Sequence, residues 1–347
     1  MKQQERFNAI AAPLLAWYDN NKRDLPWRQQ VSAYHTWVSE IMLQQTRVAA
    51  VIPYYQRFFA AFPTVEDLAQ ADEQQLLKLW EGLGYYSRAR NLHKAAKLIA
   101  QRGSFPESYE EILALPGIGE YTAGAIASIA FGRKVSAVDG NVLRIAARLG
   151  GYDDNVLDPK FRRRIQLMLD EAVCADRPGA FNQALMDLGA TVCLPSGTPL
   201  CDSCPLRQLC LAYEQGRQKE LPVRISKTKK RTEELTVFLL LQDGRAALRQ
   251  RDDRGLLASL WEYPHVSGML DESAAATQLS AWGLIPHRWV KRLQFHHIFT
   301  HIRWEMTGYV VEVSGSGEAD WLWADGAERS LRPVPSAFEK LTQELKE

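Results

Sequence analysis

Residues 115–141 read LPGIGEYTAGAIASIAFGRKVSAVDGN, and the rest of the chain is best read outward from them. Pro116 fixes its own φ, and Gly117 and Gly119 are free to take φ > 0, so Leu115–Gly119 predicts a tight hairpin. The small residues Ala123, Gly124, Ala125, Ala127, Ser128 and Ala130 follow, suiting a helix that packs closely on its neighbours. A helix starting directly after Gly119 presents bare N–H groups, which suit a phosphate. After Gly132 the short run Lys134–Val138 reads as a β segment. It ends on Asp139, and Gly140, Asn141 and a new helical pattern (Val142, Ile145, Ala146, Leu149) come next. A carboxylate is thereby placed beside a backbone grip for phosphate. A glycine-bounded helical hairpin with a capping Asp fits the same residues.

The chain has 347 residues, enough for two domains, and its 46% hydrophobic content supports a packed core. The formal charge of +1 gives no global basic signature, so nucleic-acid binding has to be argued from local sites. No apolar run reaches the length of a membrane span, and the opening MKQQERFNAI lacks a signal-peptide core. A cytoplasmic protein with no membrane partner, acting as a monomer, is the expectation. Of five cysteines, four fall at Cys193, Cys201, Cys204 and Cys210, spaced C-x7-C-x2-C-x5-C. Thiolates that close in sequence, in a loop broken by Pro195, Pro199 and Pro205, suit a metal site rather than disulfides. Zinc and an iron–sulfur cluster both fit the spacing. Cys174 stands apart as an expected buried thiol.

Helical periodicity dominates residues 6–210. Residues 6–20 place Phe7, Ile10, Leu14, Leu15 and Tyr18 on one face, and DLPWR (24–28) breaks the pattern with Trp27 and Arg28 outside it. Residues 34–49, YHTWVSEIMLQQTRVA, form a helix candidate in which Glu40 sits among Trp37, Val38, Ile41, Met42 and Leu43. Periodicity by itself favours Glu40 on a solvated side. Among those apolar neighbours, by contrast, its pKa would rise toward that of a general acid at neutral pH. Gln44, Gln45 and Thr46 close the helix with amides able to replace lost base-pair hydrogen bonds. Residues 51–80 read as two further helices. GLGYYSRAR (82–90) turns on its glycines and exposes Tyr85 and Tyr86 to packing or base stacking. Residues 155–190 add helix, with the basic triplet Arg162–Arg164 read as surface. Gln183 in FNQALMDLGATVC (181–193) reads equally as an ordinary polar helix residue.

Residues 217–234 are charged and patternless, which predicts a linker between a helical domain (1–216) and a second domain (235–347). There LTVFLLL (235–241) predicts a buried strand, RAALRQR (245–251) another, LDESAAATQLSAWG (270–283) a helix, residues 295–313 two strands, and the tail from Ser336 a helix: a mixed α+β domain.

LPGIG, a helix and VDGN together resemble the helix-hairpin-helix-Gly/Pro-Asp signature of base-excision DNA glycosylases. SEIMLQQT and GLGYYSRAR resemble motifs of the adenine-specific branch, the MutY family. The resemblance runs from about Trp17 to Cys210 and resumes in GLLASLWEYP (255–264), like the start of that family's Nudix-like domain. It implies an all-α helix-hairpin-helix glycosylase domain with an iron–sulfur loop, then an α+β Nudix-like domain. The activity implied is a monofunctional adenine DNA glycosylase working by base flipping on adenine opposite 8-oxoguanine or guanine in double-stranded DNA. By resemblance, Glu40 is the general acid and Asp139 stabilises the sugar cation, with Asn141 and Tyr121 assisting. Trp27, Arg28 and Gln183 line the base pocket; Gln44, Gln45, Tyr85, Arg88, Gly117 and Gly119 meet DNA. The four cysteines hold a [4Fe–4S] cluster, although the family's first gap is x6 and here it is x7, and Arg207 in their loop meets phosphates. Phe299-Thr300-His301 stands where the family reads 8-oxoguanine with Phe-Ser-His. Tyr121 has no amine for Schiff-base chemistry, which sets the chain apart from an endonuclease III-like lyase on oxidised pyrimidines. The second domain has only Glu262 near the place of a magnesium-binding glutamate box, so nucleotide hydrolysis there is not expected. A non-catalytic, cluster-bearing DNA-binding module is the remaining alternative.

Overall fold

The structure, a computed structural model, describes residues 2–225 and 230–345. It divides into two compact units: Met1–Gln70 with Asn91–Ser226, and Ala71–Arg90 with Lys227–Glu347.

The first unit is helical. The 34–49 pattern resolves into a helix Ala33–Leu43, stopped where Gln45 turns to φ 57°, and a second helix from Val48. Residues 51–80 form three helical pieces rather than two, because Asp72 caps a new start at Glu73. The hairpin runs from helix Tyr109–Leu113 through Leu115–Gly119 into helix Glu120–Phe131. Only Gly117 uses the left-handed region (φ 76°), and a Cβ there would lie 2.5 Å from Asn91 Cβ; Gly119 is extended and serves as the N-cap. The small residues do what their size allows: a Cβ on Gly124 would meet the Ser136 carbonyl oxygen at 2.5 Å. Helix Glu120–Phe131 packs on Ala33–Leu43, on Tyr109–Leu113 and on Pro178–Thr191. A separate core of Phe7, Ile10 and Leu14 against Ile145, Leu149, Phe161, Phe181 and Leu185 joins the ends of the unit.

The expected β segment at Lys134–Val138 is not a strand. Among the described residues no strand pairs with it, and side chains take its backbone groups instead. Asn182 Oδ1 accepts from Ala137 N (3.0 Å) while its Nδ2 donates to Val135 O (2.9 Å). Asp170 Oδ1 accepts from Ser136 N (2.9 Å), and Gln166 Nε2 donates to Ser136 O (3.0 Å). Buried backbone polar groups need partners, and polar side chains from two helices supply them here.

The second unit is built on a seven-stranded sheet: β1 (Arg231–Gln242), β2 (Arg245–Gln250), β3 (Trp261–Glu262), β4 (His265–Ser267), β5 (Leu284–Ile298), β6 (Ile302–Gly315) and β7 (Leu322–Ala324). The order is β3-β2-β1-β6-β5, with β4 pairing β1 and β7 pairing β2; β1 and β6 run parallel. Helix Glu272–Ala281 contributes Ala275 and Leu279 to a core with Phe238, Leu240, Tyr309 and Val311. Val237, Leu239, Trp304, Met306, Phe338 and Leu341 make another core, so β1 is buried on both faces, as its unbroken apolar run requires. The tail from Ser336 is a 3-10 turn followed by the short helix Glu339–Thr342. Of the predicted linker, Ser226–Lys229 lie outside the described residues, with the basic residues Lys227 and Lys229 among them.

Candidate functional site

Glu40 is 6% exposed, because helix Ala33–Leu43 is covered on nearly all sides: Trp37, Val38, Ser39, Ile41 and Met42 are buried with it. Periodicity pointed to a solvated glutamate, and the structure overturns that. Burial pushes the carboxyl up to about 7. The hydrogen bond from Tyr121 Oη to Glu40 Oε2 (2.6 Å) and the Arg28 charge pull it down, while Asp139 adds to the rise. The Tyr121 phenol is half-buried, and its desolvation with the Glu40 charge holds it neutral and keeps it a donor.

Asp139 is the N-cap of helix Gly140–Gly150, so the capping reading and the functional one describe the same residue. Its Oδ1 accepts from Val142 N (2.8 Å) and its Oδ2 from Asn141 Nδ2 (2.8 Å). Burial raises its pKa; these hydrogen bonds oppose the rise. Asn141 is held in turn: Arg144 Nη2 donates to Asn141 Oδ1 (3.0 Å) and Gly189 O (2.8 Å), and its Nε to Cys193 O (2.9 Å). A chain of hydrogen bonds thus runs from the candidate carboxylate to the first of the clustered cysteines.

Glu40, Tyr121, Asp139 and Asn141 line one cavity of about 170 Å³ together with Trp27, Arg28 and Gln183. Trp27 is 7% exposed and stands edge-on to Tyr55 at 5.4 Å, closing the core and the cavity at once. Gln183 Oε1 accepts from Tyr18 Oη (2.5 Å), an orientation that presents its amide nitrogen as a donor. The first four of these residues also line an open groove of about 740 Å³, with Gln44, Gln45, Gly119 and Arg162. Gln44 Nε2 donates to Thr122 Oγ1 (3.4 Å).

Sequence reasoning missed Asp187, which is fully buried. Its carboxylate takes Arg28 Nη1 (2.8 Å) and Nη2 (2.9 Å) and Arg23 Nε (2.7 Å). Burial alone would raise its pKa, but the Arg28 hydrogen bond and the two guanidinium charges outweigh that and lower it. The signal was there in principle: two arginines flank Pro26, and Asp187 lies one helical turn after Gln183. Met186, whose sulfur lies 3.7 Å from Tyr121 Oη, also lines the cavity and gave no sequence signal.

Tyr85, Arg88 and residues 299–301 lie in the second unit. Tyr85, in the left-handed region at φ 48°, is 44% exposed, and its Oη lies 3.1 Å from Thr300 Oγ1. Phe299 and Thr300 border a cavity of about 390 Å³ with Tyr85, Tyr86 and Leu257; Phe299 stands edge-on to Trp304 at 4.9 Å. His301 is exposed, and its carbonyl accepts from Arg231 N (2.9 Å). Arg88 is buried rather than displayed. Its Nη2 donates to Leu83 O and Gly84 O (3.0 Å each), tying the glycine turn together. Glu262 is buried and ion-paired with Arg249 (2.9 Å) and Arg251, so its carboxylate is already engaged.

Cys193, Cys201, Cys204 and Cys210 all line one small cavity at the foot of the first unit's cysteine loop. Arg148 Nη1 lies 3.2 Å from Cys193 Sγ, a cation beside a prospective thiolate. No group of three or more His, Cys, Asp or Glu among the described residues is arranged to hold a single metal ion. Four thiols lining one cavity make a soft donor set that suits zinc or an iron–sulfur cluster. Arg207 pairs with Asp202 at 3.0 Å.

Residues 38–169 match the HhH-GPD superfamily base excision DNA repair protein model, and residues 236–344 the NUDIX domain model. The chain is 37% identical to the adenine DNA glycosylase of Rattus norvegicus, over 90% of this chain and 72% of that protein. The chain belongs to the adenine DNA glycosylase family. It is also 38% identical to the adenine DNA glycosylase of Arabidopsis thaliana, over 93% of this chain and 60% of that longer protein. For that of Buchnera aphidicola subsp. Baizongia pistaciae the identity is 36%, over 86% and 83%. A thermostable thymine-DNA glycosylase superposes with a TM-score of 0.56 at 28% identity, over 61% of this chain and 98% of its own. An endonuclease III trapped on DNA shares the fold (TM-score 0.52, 24% identity, 62% and 99%). This family of MutY-type enzymes consists of hydrolases of the N-glycosidic bond that serve base excision repair. Among the described residues no helix is long and apolar enough to cross a membrane.

Proposed function

We propose that this chain releases adenine from double-stranded DNA in which adenine is paired with 8-oxoguanine or guanine, and leaves an abasic site. The observation that carries the reading is the meeting of Glu40, pushed up to about 7, with Asp139 on the walls of one cavity. Breaking the bond to adenine asks for a proton on the leaving base and for negative charge near C1′. A carboxylic acid and a carboxylate answer both needs. Glu40 gives its proton to the adenine ring and then takes one from water. Asp139 stabilises the sugar cation, kept in place by Asn141. Tyr121 donates to Glu40 and offers no amine, so the strand is not cut by elimination. The adenine has to leave the stack, at a cost of a few kcal/mol. Gln45 fills the gap it leaves, and Trp27, Arg28 and Gln183 receive it. Gly117 and Gly119 lay helix N–H groups against a phosphate.

Cys193, Cys201, Cys204 and Cys210 would hold a [4Fe–4S] cluster. When bound, the group supplies a structural cross-link for residues 193–210, one that four thiols unaided do not make. Burial pushes the Cys204 thiol up to about 12, so that sulfur ionises only against a cationic group. In the second unit, Phe299, Thr300 and His301 with Tyr85 read the opposite base. The extra methyl of Thr300 leaves the hydroxyl and narrows the space around it. The test is single-turnover release from a duplex with adenine opposite 8-oxoguanine, read after alkaline strand scission. Wild-type protein cleaves, whereas Glu40→Gln and Asp139→Asn bind the duplex and do not. Unchanged release by both variants would refute the reading.

A further inference from the structure

The groove beside Asp139 has to hold a polyanion although it carries carboxyl groups of its own. Glu40, Glu120 and Asp139 line it against two guanidinium groups, Arg47 and Arg162. Arg162 belongs to the basic triplet that reads as surface in the sequence, and helix Pro159–Ala172 separates the three. Arg164 pairs with Asp154 (2.8 Å), Arg163 is exposed beside Lys160 and Leu167, and Arg162 by itself faces the groove, half-buried. Its Nη1 donates to Val138 O (3.0 Å), the carbonyl directly before Asp139. That bond takes one of five N–H donors. The others make no hydrogen bond or ion pair with a described residue.

We infer that Arg162 is a positioning residue: it binds the phosphate next to the extruded deoxyadenosine while holding the peptide that carries Asp139. The inference rests on the glycosylase reading. A phosphate brought beside the Glu120 and Asp139 carboxylates is repelled unless a cation meets it, and a planar guanidinium matches phosphate oxygens two at a time. Because the same group grips the Val138 carbonyl, engaging the strand and placing the carboxylate at C1′ become one event.

The test uses the whole 347-residue chain, cluster-loaded, as wild type, Arg162→Gln, Arg162→Lys and the exposed neighbour Arg163→Gln. Each is measured for duplex affinity across a salt series and for single-turnover release at saturating protein, with thermal melting as the folding control. Arg162→Gln is expected to bind roughly ten-fold more weakly at low salt, with the slope of log affinity against log salt shallower by about 0.9, one phosphate contact. Its saturating rate falls several-fold as well. Arg162→Lys restores the slope but not the rate, because an ammonium lacks the fork that spans carbonyl and phosphate. Arg163→Gln matches wild type in both. An unaltered slope in Arg162→Gln overturns the inference, whether or not the rate falls, since a lower rate by itself leaves Arg162 a mere support for Val138. Those readings assume that wild type releases adenine. If it does not, the glycosylase reading fails first, and the salt slope still reports on the phosphate contact.

Discussion

At the scale of single residues, the active cavity is a problem of proton placement. On the proposed mechanism Glu40 is protonated when adenine arrives and Asp139 ionised, yet burial raises both pKa values. The single-turnover rate should therefore fall as pH rises through about 7, where Glu40 loses its proton, and fall again in acid as Asp139 gains one. Tyr121 stabilises the charged form of Glu40 through its 2.6 Å hydrogen bond. Tyr121→Phe should thus raise the Glu40 pKa and carry the alkaline limb to higher pH. A limb that stays put or moves down would contradict the assignment. Asn141→Ala removes a bond to the charged form of Asp139 and should move the acid limb up, narrowing the active window. Asp187 poses a different question. Asp187→Asn leaves Arg28 and Arg23 beside a neutral group, a loss on the order of 3–5 kcal/mol for breaking a buried pair that urea unfolding would read. Its folded pKa is lowered, so its contribution is present above the ordinary carboxylate range and is lost as pH falls through the lowered value. The gap between wild type and variant should accordingly close in strong acid.

At the scale of elements, helix ends and close helix approaches place the chemistry. The hairpin needs Gly117, where a side chain would be strained at φ 76° and would strike Asn91, a clash between backbone-anchored atoms. Gly189 is subtler: a Cβ there would sit 2.8 Å from Asn141 Cβ and 3.5 Å from Arg144 Nη2. Gly189→Ala should push Asn141 off Asp139, cost about 1–3 kcal/mol of stability as overpacking does, and lower the release rate more than duplex affinity. Equal losses in both would mean a general loss of fold instead. The short extended segment Val135–Val138 teaches the same lesson. Its β-branched residues resemble a strand, but Asn182, Asp170 and Gln166 reach it before any strand does.

At the scale of the whole molecule, the proposed function puts release of adenine and choice of the opposite base in different compact units. Thr300→Ala, which removes the hydroxyl facing Tyr85, should reduce the preference for 8-oxoguanine over guanine several-fold and leave release from the adenine–guanine pair near wild type. A parallel loss on both duplexes would tie Thr300 to the chemistry instead. Cys204→Ser should lower the melting temperature and remove an absorbance band near ~400 nm expected of an iron–sulfur cluster. A colourless wild-type protein holding one zinc ion would reverse the assignment of the cluster.

The sequence by itself determined the composition of this protein: helices first, a sheet domain after, a glycine hairpin leading to Asp139, and four cysteines bound for one site. Those are local properties, set by turn chemistry, periodicity and spacing along the chain. It could not say that Glu40 is buried, since helix Ala33–Leu43 is amphipathic only until its neighbours cover the other side. Nor did it reveal Asp187 beneath Arg28, Gly189 beneath Asn141, or Arg162 apart from its two basic neighbours. Each of these depends on which surfaces meet in three dimensions. Burial, and the pKa values and hydrogen bonds that burial creates, belong to the packing of distant segments and not to any one of them.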